Sequence, residues 1–312
     1  TLTAGWSALP GLLINVVFAA LFMGERVPKI KTVWKSCSRQ LAYGQLVAWG
    51  QYAVGCLMVL VLLSPWFGLP DVYAGIMPVG FEGGHGTAGG MAPVFDSLGF
   101  PEMKDMALAA ATFGILGAII MGMALVNWAI RRGLVASHAP ASLAERRPVG
   151  TLTISGDIVG ALSLQLAFVG LAILLGWVFK ESLLMIASSL PGRWGELMAS
   201  FPMFPLCMLG GVIVQLFCDA FDRSKLICRG LMLQLQNAAL DFLVVAAIAT
   251  IQLDVVAAGW VPLVILVGGG LLWNFFCLRV IAPRVFNDAW FERAIAELGQ
   301  SMGVTATGLL LL

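Results

Sequence analysis

Seven long apolar runs constrain this chain more than any other feature. They are 8–24, 41–65, 106–130, 152–179, 202–218, 234–253 and 257–281. A helix crossing a bilayer needs about 20 apolar residues, and without water its backbone groups must pair within the segment. Runs of this length and number predict an all-α polytopic membrane protein. Composition agrees: 11% of the 312 residues are charged, against about 25% in soluble domains. A net charge of +1 offers no basic face to nucleic acid. The six cysteines show no C-x-x-C spacing and read as reduced packing residues. The chain opens on Thr1 and closes inside the run GLLLL. It therefore reads as a fragment of a longer protein.

Basic residues set the expected orientation, because loops rich in Lys and Arg stay in the cytoplasm. Loop 25–40 carries Arg26, Lys29, Lys31, Lys35 and Arg39, and loop 131–150 carries Arg131, Arg132, Arg146 and Arg147. Loop 219–233 carries Arg223, Lys225 and Arg229, and Arg279, Arg284 and Arg293 cluster around the end of the last run. These alternate correctly only if the apolar piece 74–95 enters and leaves on one side. The expectation is a re-entrant hairpin open to the outside. The Thr1 end is then outside, and 132–150, RGLVASHAPASLAERRPVG without its first residue's neighbours in the span, is a cytoplasmic linker.

That piece contains FEGGHGTAGG at 81–90. Glycine lets two limbs pack closely and exposes N–H and C=O groups to a ligand. The order span, span, glycine-broken piece occurs twice: 8–24, 41–65, 81–90, and again 234–253, 257–281, 299–308. An odd number of crossings separates the copies, so their orientations are opposite. Inverted repeats with broken elements near the midplane mark secondary transporters. The expected architecture is therefore an inverted-repeat secondary transporter with two re-entrant glycine-rich hairpins. Its N-terminal half is 1–131, its linker 132–150 and its C-terminal half 151–312, ending in a partial hairpin at 294–312. By comparing the halves, two spans are expected before Thr1 and one after Leu312.

GHGTAG also fits G-x-G-x-x-G, but a dinucleotide site needs a preceding strand and a following soluble helix. Neither fits this position. The stretch GGHGTAGGMAPVF followed by MALAAATFGILGAI resembles the bacterial sodium/glutamate symporter family. The matching residues are Gly83, Gly84, His85, Gly86 and Thr87, then Ala111, Thr112, Phe113 and Gly114. Gln51 and Gly55 in QYAVG and Asn237 in LQNAAL also fit. The resemblance implies a ten-span fold in two halves, in the bacterial inner membrane, and Na⁺-driven glutamate uptake without other cofactors. The second hairpin, GQSMGVTATG, departs from the family: Gly303, Ala306 and Thr307 match, but Gly308 stands where a proline is expected. Asp241 stands where a small hydroxyl residue is expected.

Gly83, Gly84, His85, Gly86, Thr87, Gly303, Thr305 and Thr307 are the expected substrate contacts. Thr87, Asn237, Asp241 and Thr307 are the expected Na⁺ ligands, since hydroxyl and carboxylate oxygens suit a hard cation. His85 could equally be a satisfied structural partner, and Asp241 could pair with a basic residue. Glu82 lies beside the hairpin tip. Asn15, Gln45, Gln51, Asn127, Gln165, Gln215 and Asn274 either line a cavity or bond between helices. Segment 181–200 is expected to lie along the outer interface. The expected partners are a small anionic substrate, Na⁺ and the lipid bilayer, with a homodimer left open. A carrier of another amino acid or a dicarboxylate, driven by H⁺, is one alternative. A channel with two pore loops is another, though it calls for a symmetric filter. No paired acids or Ser/His set supports an enzyme.

Overall fold

The computed structural model describes residues 2–25, 30–135, 161–221 and 226–312, without the side chains of 2–4, 30, 32, 33, 35, 36, 305 and 306. Most of the linker 132–150 and the start of the run 152–179 lie outside these residues. The described chain is helical, with no strand. Its main helices are α1 (Leu2–Ala20), α2 (Ile30–Met58), α3 (Ile76–Phe81), α4 (Gly84–Gly90), α5 (Met103–Arg131) and α6 (Ala161–Ser189). Then follow α7 (Met203–Phe221), α8 (Arg229–Ala249), α9 (Trp260–Phe276), α10 (Trp290–Met302) and α11 (Thr305–Leu311). Six helices among the described residues are long and apolar enough to cross a membrane: Cys37–Phe67, Met103–Arg131, Ala161–Ser189, Met203–Phe221, Arg229–Ala249 and Trp260–Val285.

Two boundaries differ from the sequence reading. The first run, 8–24, yields a shorter apolar helix, Gly5–Ala20, because the chain turns at 21–25. Segment 181–200 does not form a separate interfacial element from its start. Helix α6 runs on to Ser189, since KESLLMIASS holds neither Gly nor Pro. It stops at the residue two before Pro191, as the restriction on residues preceding proline requires. Lys180 is thus inside a helix, and its ammonium donates to Ala199 O (2.6 Å) and Phe201 O (2.7 Å). A long flexible stem lets the charge reach polar partners in this way.

By packing, the chain forms two compact units that interleave in sequence. Unit 1 is Thr1–Pro28, Gly89–Phe100 and Leu143–Thr250; unit 2 is Lys29–Ala88, Pro101–Ser142 and Ile251–Leu312. In unit 1, α1 packs on α8 and α7, and α7 on α6. Helices in lipid gain little from the hydrophobic effect, so close contact through small residues holds them together. A Cβ on Gly176 would lie 2.7 Å from Cys207 N. A Cβ on Gly210 would collide with the Ala172 carbonyl, and one on Gly211 with the Ala19 carbonyl. Ala19, Ala20, Val169, Ala172, Cys207 and Met232 fill the core around these crossings.

Polar groups lock the end of α1. Arg229 donates to Leu21 O (2.9 Å) and Met23 O (3.0 Å) and pairs with Glu25 at 3.1 Å. Gly24 N donates to Gln215 Oε1 at 2.7 Å. Helix ends leave carbonyls without donors, and a cation suits the negative end of the dipole. The contact also holds the 21–25 turn against the start of α8.

Unit 2 packs α5 against α3, α10, α9 and α11, and α2 against α9 and α3. Two of its helices share an irregularity. Helix α2 continues through a π turn, Val59–Leu63, into Ser64–Phe67, and α9 continues through a π turn, Cys277–Ile281, into Ala282–Val285. In each, a proline follows at the second position of the last piece, Pro65 and Pro283. Proline lacks an N–H and clashes with the carbonyl four residues back; a widened turn relieves this. Ser64 N then bonds Val59 O, and Ala282 N bonds Cys277 O. Gly68 N bonds Ser64 O, and Phe286 N bonds Ala282 O.

Gly211→Ala should lower the thermal stability of the detergent-solubilised protein, because overpacking costs about 1–3 kcal/mol. Gly170→Ala should leave it equal or raised, since nothing lies within 4 Å of a Cβ there and alanine favours helix. Thermal unfolding of both variants checks the pair; an equal loss in both would refute close crossing as the cause.

Candidate functional site

Two helix breaks define the site, and both are in unit 2. The first separates α3 from α4. Glu82 N and Gly83 N both donate to Pro78 O, at 3.1 and 3.2 Å, and Gly84 then turns with φ +62°. Only glycine adopts that conformation without cost. The second separates α10 from α11. The chain passes Gly303 and an extended Val304 before α11 restarts, with Thr307 N donating to Val304 O at 2.8 Å. A Cβ on Gly84 would lie 3.3 Å from Gly303 O. The breaks therefore touch, although over 200 residues of sequence separate them.

His85 follows the first break and is 1% exposed. Its Nε2 lies 3.0 Å from Thr112 Oγ1, and Thr112 donates its own hydroxyl proton to Leu108 O at 3.0 Å. That proton being used, His85 Nε2 must carry a hydrogen and donate it to Thr112; the tautomer is assigned from the network. Nδ1 has no hydrogen-bond partner among the described residues. Two residues further along α5, a Cβ on Gly114 would collide with Met302 O and would come within 2.9 Å of the Phe81 ring. The short segment Thr112–Gly114 thus braces both breaks: Thr112 holds the histidine, and Gly114 admits the end of α10.

A second polar chain runs through the end of α10. Gln51 on α2 donates Nε2 to Ser301 O (2.8 Å), Ser301 Oγ donates to Asn274 Oδ1 (2.8 Å), and Asn274 Nδ2 donates to Gly270 O (2.9 Å). Gln51 and Ser301 are fully buried and Asn274 nearly so. Gln51 Oε1 has no partner among the described residues. On another side of α10, Gln40 donates to Glu297 Oε2 at 2.9 Å. Glu297 and Glu82 both line a cavity of about 350 Å³, with Cys37, Gln40, Leu41, Gly44 and Gln45.

The expected site residues are distributed as follows. Gly83, Gly84, His85, Gly86 and Thr87 sit at the first break, and Gly303, Thr305 and Thr307 at the second; the Thr305 side chain lies outside the described residues. Asn237 and Asp241 are on α8, in unit 1, and are exposed. Gln165 and Gln215 bond backbone at the ends of helices in unit 1, and Asn15 bonds its own helix at Gly11. Thr112 and Ser301 were not singled out as site residues. Thr112 stood inside the ATFG motif, and Ser301 two residues before Gly303, so proximity to a glycine break could have marked both. Among the described residues, no group of three or more His, Cys, Asp or Glu could hold a metal ion.

The sodium/glutamate symporter family matches the chain over residues 9–289 of 312. The chain belongs to that family. No curated protein and no solved structure matches it. It is accordingly a multi-pass membrane transporter and not an enzyme. The matched stretch includes the first break, Thr112–Gly114 and Asn274, and stops before the second break. In this symporter, the two motifs that carry the resemblance, GGHGT and ATFG, are one structural unit joined by the His85–Thr112 bond.

Thr112→Val should strand the His85 N–H in a buried site and cut transport about tenfold or more, because an unmade buried hydrogen bond costs about 1–3 kcal/mol. Thr112→Ser should retain most of it. Uptake by both variants in proteoliposomes checks this; equal activity of Val and Ser would show that the bond is not needed.

Proposed function

We propose that the protein takes up glutamate, or a related amino-acid or carboxylate anion, by symport with Na⁺ across a bacterial cell membrane. The family assignment supports coupling to sodium. The observation that carries the choice of site is the contact between the two breaks, with Gly84 against Gly303 O. Ends of broken helices meeting at membrane depth present unpaired N–H and C=O groups to a ligand. Gly83, Gly84, Gly86 and Thr87 on one side, with Gly303, Thr305 and Thr307 on the other, would hold the carboxylate by backbone and hydroxyl groups.

The electrostatics favour that mode of binding. His85 commits its Nε2–H to Thr112. The nearest described basic residues to the breaks in sequence, Lys104 and Arg293, stand at or near the starts of α5 and α10. An anion therefore depends on backbone donors, hydroxyls and a co-bound cation. The repeated π turns support an inverted repeat: Val59 and Cys277 differ by 218 in number, as do Pro65 and Pro283. The same offset relates 81–90 to 299–308. Two re-entrant hairpins, the linker in the cytoplasm and the Thr1 end outside complete the proposed topology.

One observation favours a second reading. Glu82 and Glu297 share a cavity, and two carboxylates facing one space are a means of carrying a proton. Proton-coupled uptake by the same site is the runner-up.

Uptake of labelled glutamate into proteoliposomes decides between them. An inward Na⁺ gradient at equal pH should drive accumulation, while a pH gradient without Na⁺ should not. Unlabelled amino and dicarboxylic acids should compete. Uptake driven only by the pH gradient would sink sodium coupling, and best competition by neutral carboxylate-free solutes would sink the anion site.

A further inference from the structure

The chain Gln51–Ser301–Asn274–Gly270 has only one possible set of hydrogen-bond directions. Backbone carbonyls can only accept, so Ser301 O fixes Gln51 Nε2 as donor, and Gly270 O fixes Asn274 Nδ2 as donor. Asn274 Oδ1 must then accept the Ser301 hydroxyl proton. Each side-chain hydrogen used in these bonds points along the chain toward Gly270. At the other end stands Gln51 Oε1, on a fully buried side chain, with no donor among the described residues. The Ser301 hydroxyl, its proton given away, keeps lone pairs to offer, and so does Asn274 Oδ1. A buried acceptor left unpaired is costly, and an apolar residue of similar shape would avoid that cost.

A second observation bears on what fills the need. Ser301 is the penultimate residue of α10, a helix of 13 residues that ends at the break. Its carbonyl and those beside it are among the last four, which have no intrahelical donors, and the negative end of the dipole lies there. Met302 O is pressed against Gly114, and Gln51 reaches only Ser301 O. Neutral oxygens gathered at the negative end of a helix suit a hard monovalent cation better than a carboxylate.

We propose that the coupling Na⁺ binds at the C-terminal end of α10, with Gln51 Oε1, Ser301 Oγ and Asn274 Oδ1 as side-chain ligands. This rests on the reading of the protein as a Na⁺ symporter and names ligands other than Asn237 and Asp241. Binding here would fix the end of α10 and so the position of Gly303, two residues on, against Gly84. The ion thereby sets the second break before substrate arrives.

The test uses the purified protein in lipid nanodiscs, without substrate. Its thermal unfolding is followed as NaCl replaces choline chloride at constant ionic strength. The wild type should be stabilised by Na⁺. Gln51→Met and Ser301→Ala should each raise the half-maximal Na⁺ concentration about tenfold or more. Gln51→Met also removes the donor to Ser301 O and should lower unfolding in choline alone, so Ser301→Ala, which keeps that bond, carries the comparison. An unchanged half-maximal Na⁺ concentration in the variants overturns this site while leaving sodium symport standing elsewhere in the chain. Stabilisation of the wild type by glutamate but not by Na⁺ also overturns it, and assigns the free oxygens to the ammonium group of the substrate. Wild-type uptake under a Na⁺ gradient tests the symport reading separately.

Discussion

The hydrogen bond from Gln51 to the Ser301 carbonyl answers the constraint under which the rest of unit 2 is built. A helix broken within a membrane frees carbonyls and N–H groups that lipid cannot satisfy. The break after α10 survives because α2 supplies an amide to one freed carbonyl, α9 supplies Asn274 to the serine that bears it, and α5 presents Gly114 to the next carbonyl. Three spanning helices are committed to one helix end. Their spacing follows from it: Trp273 donates to Val47 O at 3.0 Å, which pins α9 to α2 one turn before Gln51.

Glycine serves two separate purposes, close helix crossing in both units and the helix break in unit 2. In unit 1, Gly176, Gly210 and Gly211 are points where one helix backbone meets another, so their role is adhesion in a solvent that gives helices little reason to associate. In unit 2, Gly84 is needed for its left-handed turn and for the approach of Gly303. A count of 36 glycines cannot separate these uses. The distinction appears only when the partner atom is known: the flank of an intact helix in one case, the free end of a broken one in the other.

How much was legible follows the same division. Spans were readable because length and apolarity are summed over 20 residues, and five of the six spanning helices overlap their runs almost throughout. The sixth, α6, runs past the end expected at Phe179, because Lys180 looked like a boundary. A flexible stem that carries its ammonium to Ala199 and Phe201 makes one lysine a weak stop, whereas Pro191 is a strong one. The glycine breaks were legible as composition. Their partners were not. Gln51 and Asn274 looked no different from Gln165 and Gln215, which bond to helix ends in unit 1. A buried amide is ambiguous in sequence; which carbonyl it meets is a long-range fact. Asp241 was the clearest ion ligand in the sequence because a charge within a span is costly; its side chain is exposed on α8.

The absence of lysine and arginine from the sequence around the breaks has a consequence for coupling. Near them the described protein supplies amides, hydroxyls, an imidazole and the Glu82 side chain. An anion entering alone would be stabilised by dipoles only. The cation becomes the strongest positive charge it can find. For unit charges about 8 Å apart at an effective dielectric constant of about 20, the attraction is roughly 2 kcal/mol. That is within the ordinary range of coupling free energies, and linkage makes it reciprocal: the ion tightens substrate binding by the factor with which substrate tightens the ion. A fixed lysine or arginine at the same place would hold the anion without the cation and would weaken this dependence. On the proposed reading, the lack of fixed positive charge around Gly84 and Gly303 is therefore what ties uptake of the anion to sodium.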